Sequence, residues 1–298
     1  MATITRPSHL INPTASSLQL ESSASHLDGV PRGVEDSIRY ESSRLIQVAG
    51  MLLRLPQEVI AQAIIILQRF FIGPDAASLV EIDAWDAATS SLYLAAKPSG
   101  YSLSPRSTLT VFAFLKAVYP DYRGVATGDR QVGHEWHLTE GEYEMARNRM
   151  YHVESYILRV LGFQTHVALP YSLCINYLQT LDVFPSHDGS RVAKRAFAHL
   201  NGALLSPQLI YLTHQPPAIA TAAIYLAARE LEVKLPEVEW WEIFDVDRET
   251  LGFLVVALQS LEGYAREERR DWGRRKVPLT KSELHGELDR RRLLEGMG

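Results

Sequence analysis

Few stretches of this 298-residue chain hold side chains whose types and spacing could do chemistry. The densest is His134-Glu135-Trp136-His137, two imidazoles and a carboxylate in one short run. The metalloprotease pattern HExxH sets its imidazoles four positions apart, so that both reach one zinc from a single helix face. The run here lacks that spacing and lies in a Gly-rich stretch without helical period, so no metal is expected. The single cysteine, Cys174, has Ile175 and Leu178 beside it on a helical pattern and reads as a small core residue rather than a nucleophile. There is no GxxxxGK phosphate loop, no GxSxG elbow and no cysteine–histidine signature. The expectation is a protein with no catalytic residues, no metal and no cofactor, which moves the functional question to surfaces that bind.

Composition narrows the partners. With 46% hydrophobic and 22% charged residues the chain is ordinary globular material, long enough for two cores. A net charge of -5 supplies no global pull toward nucleic acid or anionic lipid. One cysteine allows no intrachain disulfide and no cysteine-rich zinc ribbon, which suits a reducing compartment. The first 20 residues lack a charged segment followed by an apolar run, and no stretch approaches the roughly 18 apolar residues needed to cross a bilayer. The chain reads as intracellular, neither secreted nor membrane-spanning.

What must position any binding surface is an internal repeat. Residues Ala88 to Lys97 read ATSSLYLAAK and Ala220 to Arg229 read ATAAIYLAAR, identical or conservatively replaced throughout at an offset of 132. Small residues on all sides, with Leu, Ile and Tyr spaced to touch neighbours, describe a helix enclosed by other helices. An offset this long exceeds a solenoid unit of roughly 20 to 50 residues and fits two copies of a small domain.

Around those central helices the sequence alternates helical patterns with Pro and Gly breaks. Residues 1–35 are rich in Ser, Thr, Pro and His without sustained period and read as a disordered leader. A first helix follows from Asp36 to Leu55; a second opens at Pro56 and stops at Gly73-Pro74. The repeat helix spans about 82–97, and a fourth runs from Pro105 to near Tyr119 and Pro120. A loop over 120–138 leads to a fifth helix, which opens on the capping-box spacing Thr139 to Glu142 and ends at Gly162. The second half repeats the plan with helices at 170–181, 190–205, the repeat after Pro216-Pro217, a short Trp240-to-Phe244 turn and a last helix over 247–265. No run reads as a strand, so the fold class is all-α: two tandem five-helix domains, 36–164 and 165–265. The charged tail, 266–298, reads as a solvated continuation of the last helix rather than an import signal or phosphate-binding patch, with Trp272 as its one anchor.

Two five-helix units, each with a small-residue central helix ending in YLAA and a basic residue, resemble the cyclin family over about residues 36–265. The strings that carry the resemblance are LIQVAGMLLRLPQ (45–57), LQRFF (67–71), YLAAK (93–97), ESYILRVLGF (154–163), YLAAR (225–229) and WWEIF (240–244). They are similar to the transcription-associated cyclins of the L and Q types more than to cell-cycle cyclins. The resemblance implies a nuclear, non-catalytic regulatory subunit that docks on a cyclin-dependent protein kinase as a heterodimer, with no direct nucleic-acid or membrane partner. Such a subunit holds the kinase C-helix inward, so that its Glu can pair with the ATP-binding Lys. It further implies kinase binding at Lys97 and Glu154, with Leu94 and Leu158 as apolar neighbours if they face outward. Taken without the resemblance, Lys97 is a charged helix end complementing the dipole, Glu154 a solvated helix residue, and both leucines plain core.

The chain departs from the family in three places. Lys97 is followed by Pro98-Ser99-Gly100 where members commonly carry Lys-x-Glu-Glu, which bears on kinase choice and on the orientation of Lys97. The Met-Arg-x-x-Leu recruitment string of cell-cycle cyclins and the Arg-Ser tail of L-type cyclins are both absent from this sequence. Two alternatives stand beside the kinase activator. One is a TFIIB-like transcription factor, which shares the duplicated fold but usually carries a zinc ribbon and a basic core; the other is a scaffold that keeps the fold without activating a kinase.

Overall fold

The computed structural model describes residues 11–122, 136–184, 188–272 and 278–295, and every regular element among them is helical. The chain divides into a first unit, Ser16–Thr165 with Arg266–Gly298, and a second, Met1–Ala15 with His166–Ala265.

In the first unit, α1 (Ser17–Glu21) and α2 (Ala24–Leu27) precede α3 (Arg32–Leu52), α4 (Gln57–Phe70), α5 (Ala84–Ala96), α6 (Pro105–Tyr122) and α7 (Glu140–Val160). The repeat helix α5 is enclosed, packing against α3, α4, α6 and α7. Its Ala, Ser and Thr residues are buried on every side, which lets neighbouring backbones come close. The Ser90 hydroxyl donates to the Met150 carbonyl of α7 at 3.0 Å, a contact that a longer side chain would prevent. The crossing of α3 and α4 is as tight: a Cβ at Gly50 would stand 2.5 Å from Ile60 Cγ1.

Local chemistry sets the helix ends. Asp83 caps α5 by accepting from Trp85 N at 2.8 Å. Thr139 and Glu142 form the reciprocal capping box at the start of α7. Pro56 takes the N-cap of α4 rather than the expected first helical position, and the helix begins one residue later, at Gln57. Gly162 and then Phe163 turn into left-handed backbone (φ 55° and 61°) to stop the chain after α7.

The second unit holds α8 (Tyr171–Thr180), α9 (Gly189–Ala203), α10 (Ile210–Thr213), α11 (Pro216–Glu230), a 3-10 turn over Trp240–Phe244 and α12 (Arg248–Trp272), whose last residues belong to the first unit. Here α11, the second copy of the repeat, packs against α8, α9, α10 and the 3-10 turn. The turn occupies the place in the order where the first unit has the full helix α6. Cys174 is fully buried in α8, and burial pushes its thiol up to about 12, as an inert core residue requires.

Both chain ends carry more structure than their composition suggests. Residues 1–10 lie outside the described residues, but residues 11–35 hold two short helices and are tied down at a few buried points, among them Asn12, Ser23, Ser25 and Val30. Asn12 donates to Ala168 O and accepts from Ala168 N, each at 2.8 Å, and exchanges two further bonds with the Gln215 side chain. In the first unit Ser23 donates to Glu35 at 2.8 Å, and Leu79 N donates to Ser25 at 3.0 Å. A leader judged by apolar period alone looks unable to fold, because its anchors are polar groups bonding to distant backbone.

At the other end, α12 does continue past Ala265, to Trp272, with Ser37 donating to buried Glu268 at 2.7 Å. The chain then forms α13 (Lys281–Glu295), which is docked rather than solvated: Leu279, Leu284 and Leu288 are buried, and these three anchor it. Trp85 Nε1 donates to Pro278 O at 3.1 Å, while Lys281 donates from its backbone to Asp83 and from its ammonium to Glu81 O, each at 2.9 Å. Among the described residues no helix is long and apolar enough to cross a membrane.

Candidate partner-binding site

The α5–α7 packing brings together two residues 57 positions apart. Lys97 is the C-cap of α5, its backbone N–H bonded to Tyr93 O, so its side chain leaves the helix at the rim. Glu154 lies in α7 beside the buried stripe of Met150, Val153 and Ile157. Lys97 Nζ donates to Glu154 Oε1 at 2.5 Å. The carboxylate side chain is only 8% exposed and the lysine 43%, so the anion sits inside and the cation sits over it facing solvent.

Two aromatic rings complete the surroundings. The ammonium stands 4.6 Å from the Tyr93 ring centroid and 5.8 Å from that of Tyr151, and the two rings are 6.0 Å apart, tilted 45°. Burial, then the hydroxyl of Tyr151, then the charge of Glu154 push the Tyr93 phenol up to about 12, so it stays neutral. On a free surface an ion pair of this kind is worth at most about 1 kcal/mol, and each ring adds roughly 0.5–1 kcal/mol at an exposed site. Desolvation by a partner would raise both terms.

Of the two leucines, Leu94 is 7% exposed and belongs to the core around α5, whereas Leu158 is half-buried one turn beyond Glu154. Tyr93 and Tyr151 are the residues that sequence reasoning missed. Their signal was present: Tyr93 precedes Lys97 by four and Tyr151 precedes Glu154 by three, which puts each on the same helix face as its partner.

The second unit does not reproduce the arrangement. Arg229, at the position of Lys97, is exposed and has no ion pair among the described residues. Its neighbour Glu230 instead receives Arg195 Nε at 2.5 Å and His199 Nε2 at 2.9 Å, both from α9. His134 and Glu135 lie outside the described residues, and among those described no group of His, Cys, Asp and Glu could hold a metal ion.

Two enclosed repeat helices in two helical units define the cyclin fold, and solved structures agree. A chain of the yeast RNA Pol II CTD kinase CTDK-1 complex matches with a TM-score of 0.66 and 14% identity, covering 97% of this chain and 84% of that one. A chain of the CAK complex from Chaetomium thermophilum bound to ATP-gamma-S matches at 0.58 and 15%, covering 94% and 90%.

In sequence the chain resembles the transcription-associated cyclins, and among them the L type. It is 30% identical over 271 residues to the cyclin L homolog cyl-1 of Caenorhabditis elegans, 89% of this chain and 54% of that one. To human Cyclin-L2 it is 29% identical over 265 residues, 89% and 45% of the two chains. To Cyclin-L1-1 of Arabidopsis thaliana it is 29% identical over 244 residues, 82% and 54%. The chain thus spans about half the length of the curated relatives it matches. No protein-family model matches it.

Proposed function

We propose that this chain is a non-catalytic regulatory subunit that binds and activates a cyclin-dependent protein kinase in the nucleus, acting in transcription by RNA polymerase II. The observation that carries the reading is the Lys97–Glu154 pair: a charged centre between α5 and α7 of the first unit, absent at the repeat position of the second. Support also comes from the L-type relatives and from the fold likeness to chains in assemblies titled as a CTD kinase and a CAK complex.

In this reading the chain contributes binding energy and no chemical group. A partner helix laid over α5 and α7 removes water from the lysine, and the energy of that contact holds the kinase C-helix where its Glu meets the ATP-binding Lys. Leu158, half-buried at the same rim, adds apolar contact; Leu94 supports from below.

The test is a titration of individually purified cyclin-dependent kinases with this chain. Complex formation and phosphorylation of a peptide from the RNA polymerase II C-terminal domain are read together. The reading expects a one-to-one complex with at least one kinase and a rate well above that of the kinase alone. Complex formation without any gain in rate would favour the scaffold alternative, and no complex with any kinase would overturn the proposal.

A further inference from the structure

The stretch after Lys97, Pro98 to Pro105, contains no acidic residue, and among the described residues Glu154 is the one carboxylate bonded to the ammonium, from one side. A lysine has four rotatable side-chain bonds and loses up to about 2 kcal/mol of conformational freedom when fixed. A single ion pair at a half-exposed position does little to offset that loss. Tyr93 from α5 and Tyr151 from α7 lie on the ammonium's remaining inner sides, at 4.6 and 5.8 Å. Tyr93 is buried and fixed by the core, whereas Tyr151 is 39% exposed and forms the outer wall.

We infer that Tyr93 and Tyr151 form an aromatic cradle that holds the Lys97 ammonium over Glu154, and that Tyr151 is thereby a positioning residue for partner binding at this site. The inference rests on the proposed kinase-binding reading and adds to it a residue whose part is to hold the lysine. The attraction is between the positive charge and the negative faces of the rings, so the ring is needed and the hydroxyl is not. A partner arriving at the rim meets an ammonium already placed, and the ordering cost has been met before binding.

A four-variant comparison tests this, using the kinase that forms the tightest complex in the titration above. Tyr151→Leu should weaken binding about three- to tenfold while Tyr151→Phe binds as the wild type does, the range corresponding to roughly 0.7–1.4 kcal/mol. In a Lys97→Met background the Tyr151→Leu change should add nothing, because the residue acts through the lysine. Independently of any partner, the 13C-labelled ε-methylene of Lys97 should show a ring-current shift in the free protein that shrinks in Tyr151→Leu and persists in Tyr151→Phe. If Lys97→Met weakens binding but Tyr151→Leu does not, or if the Tyr151→Leu loss is undiminished in the Lys97→Met background, the cradle is wrong and the site stands. If Lys97→Met itself binds normally, the site falls and the cradle's role in binding falls with it.

Discussion

The two copies of the repeat helix share what happens along their length and differ at their ends. Along the length, α5 and α11 are both enclosed, with small residues buried on all faces. At the C-terminal end, α5 delivers Lys97 to Glu154 between two tyrosines, while α11 leaves Arg229 exposed and engages Glu230 with α9 instead. At the N-terminal end the copies use equivalent positions differently: the N-caps Asp83 and Gln215, also 132 apart, each hold a terminal segment of the chain. Asp83 accepts from Lys281 N, and Gln215 bonds to Asn12. Duplication therefore keeps the packed interior, where any added volume is costly, and leaves the helix ends free to take different partners.

The largest expected effect breaks the comparison at the N-terminal ends. Leu284 is fully buried on the inner face of α13, so Leu284→Ala should cost about 2–5 kcal/mol and loosen amide hydrogen exchange in α5. Asn12→Ala should cost less, about 1–3 kcal/mol, by leaving the Ala168 backbone groups unpaired, and should loosen α11 instead. Exchange measured helix by helix checks both, and unchanged protection of α5 in Leu284→Ala would show that the tail does not hold that unit.

A smaller effect separates the C-terminal ends by pH. Burial lowers the pKa of His199 from its ordinary 6.5, outweighing the pull of Glu230, and burial also lowers that of His214. For such groups the unfolded chain takes up protons before the folded one does. Stability should therefore fall as pH drops through about 6.5 and level off below the lowered values. Among the described residues no histidine is bonded to Lys97 or Glu154, so the loss should appear in the second unit. Denaturant unfolding of wild type and His199→Gln between pH 7.5 and 5.5 measures it; an unchanged slope in the variant would place the dependence elsewhere.

Much of this was legible in the sequence because it is written locally. Proline and glycine breaks, the Thr139–Glu142 spacing and the apolar period outline the helices of both units, and the 132-residue offset marks the two central ones. The approach of Lys97 to Glu154 followed from the family resemblance together with side-by-side packing of two helices. What stayed hidden depends on distant partners. Asn12 looks like any polar residue until the Gln215 side chain and Ala168 are beside it, and Leu279, Leu284 and Leu288 are three apolar residues in a run of charges that period analysis reads as solvated. Tyr151 was passed over for a different reason: its three-residue spacing to Glu154 marks only a shared helix face, and the position of Lys97 gives that spacing its role.

The asymmetry between Lys97 and Arg229 is the central claim, and one titration addresses it. Wild type, Lys97→Ala, Glu154→Ala and Arg229→Ala are titrated against the same kinase, with thermal melts in parallel. Within a desolvated interface, losing one member of a bonded charge pair costs about 2–5 kcal/mol, against at most about 1 kcal/mol on a free surface. The account predicts that both first-unit variants lose about tenfold or more in affinity with little change in melting temperature, and that Arg229→Ala binds and melts as the wild type does. Equal losses for Arg229→Ala and Lys97→Ala, or normal binding by both first-unit variants, would contradict it.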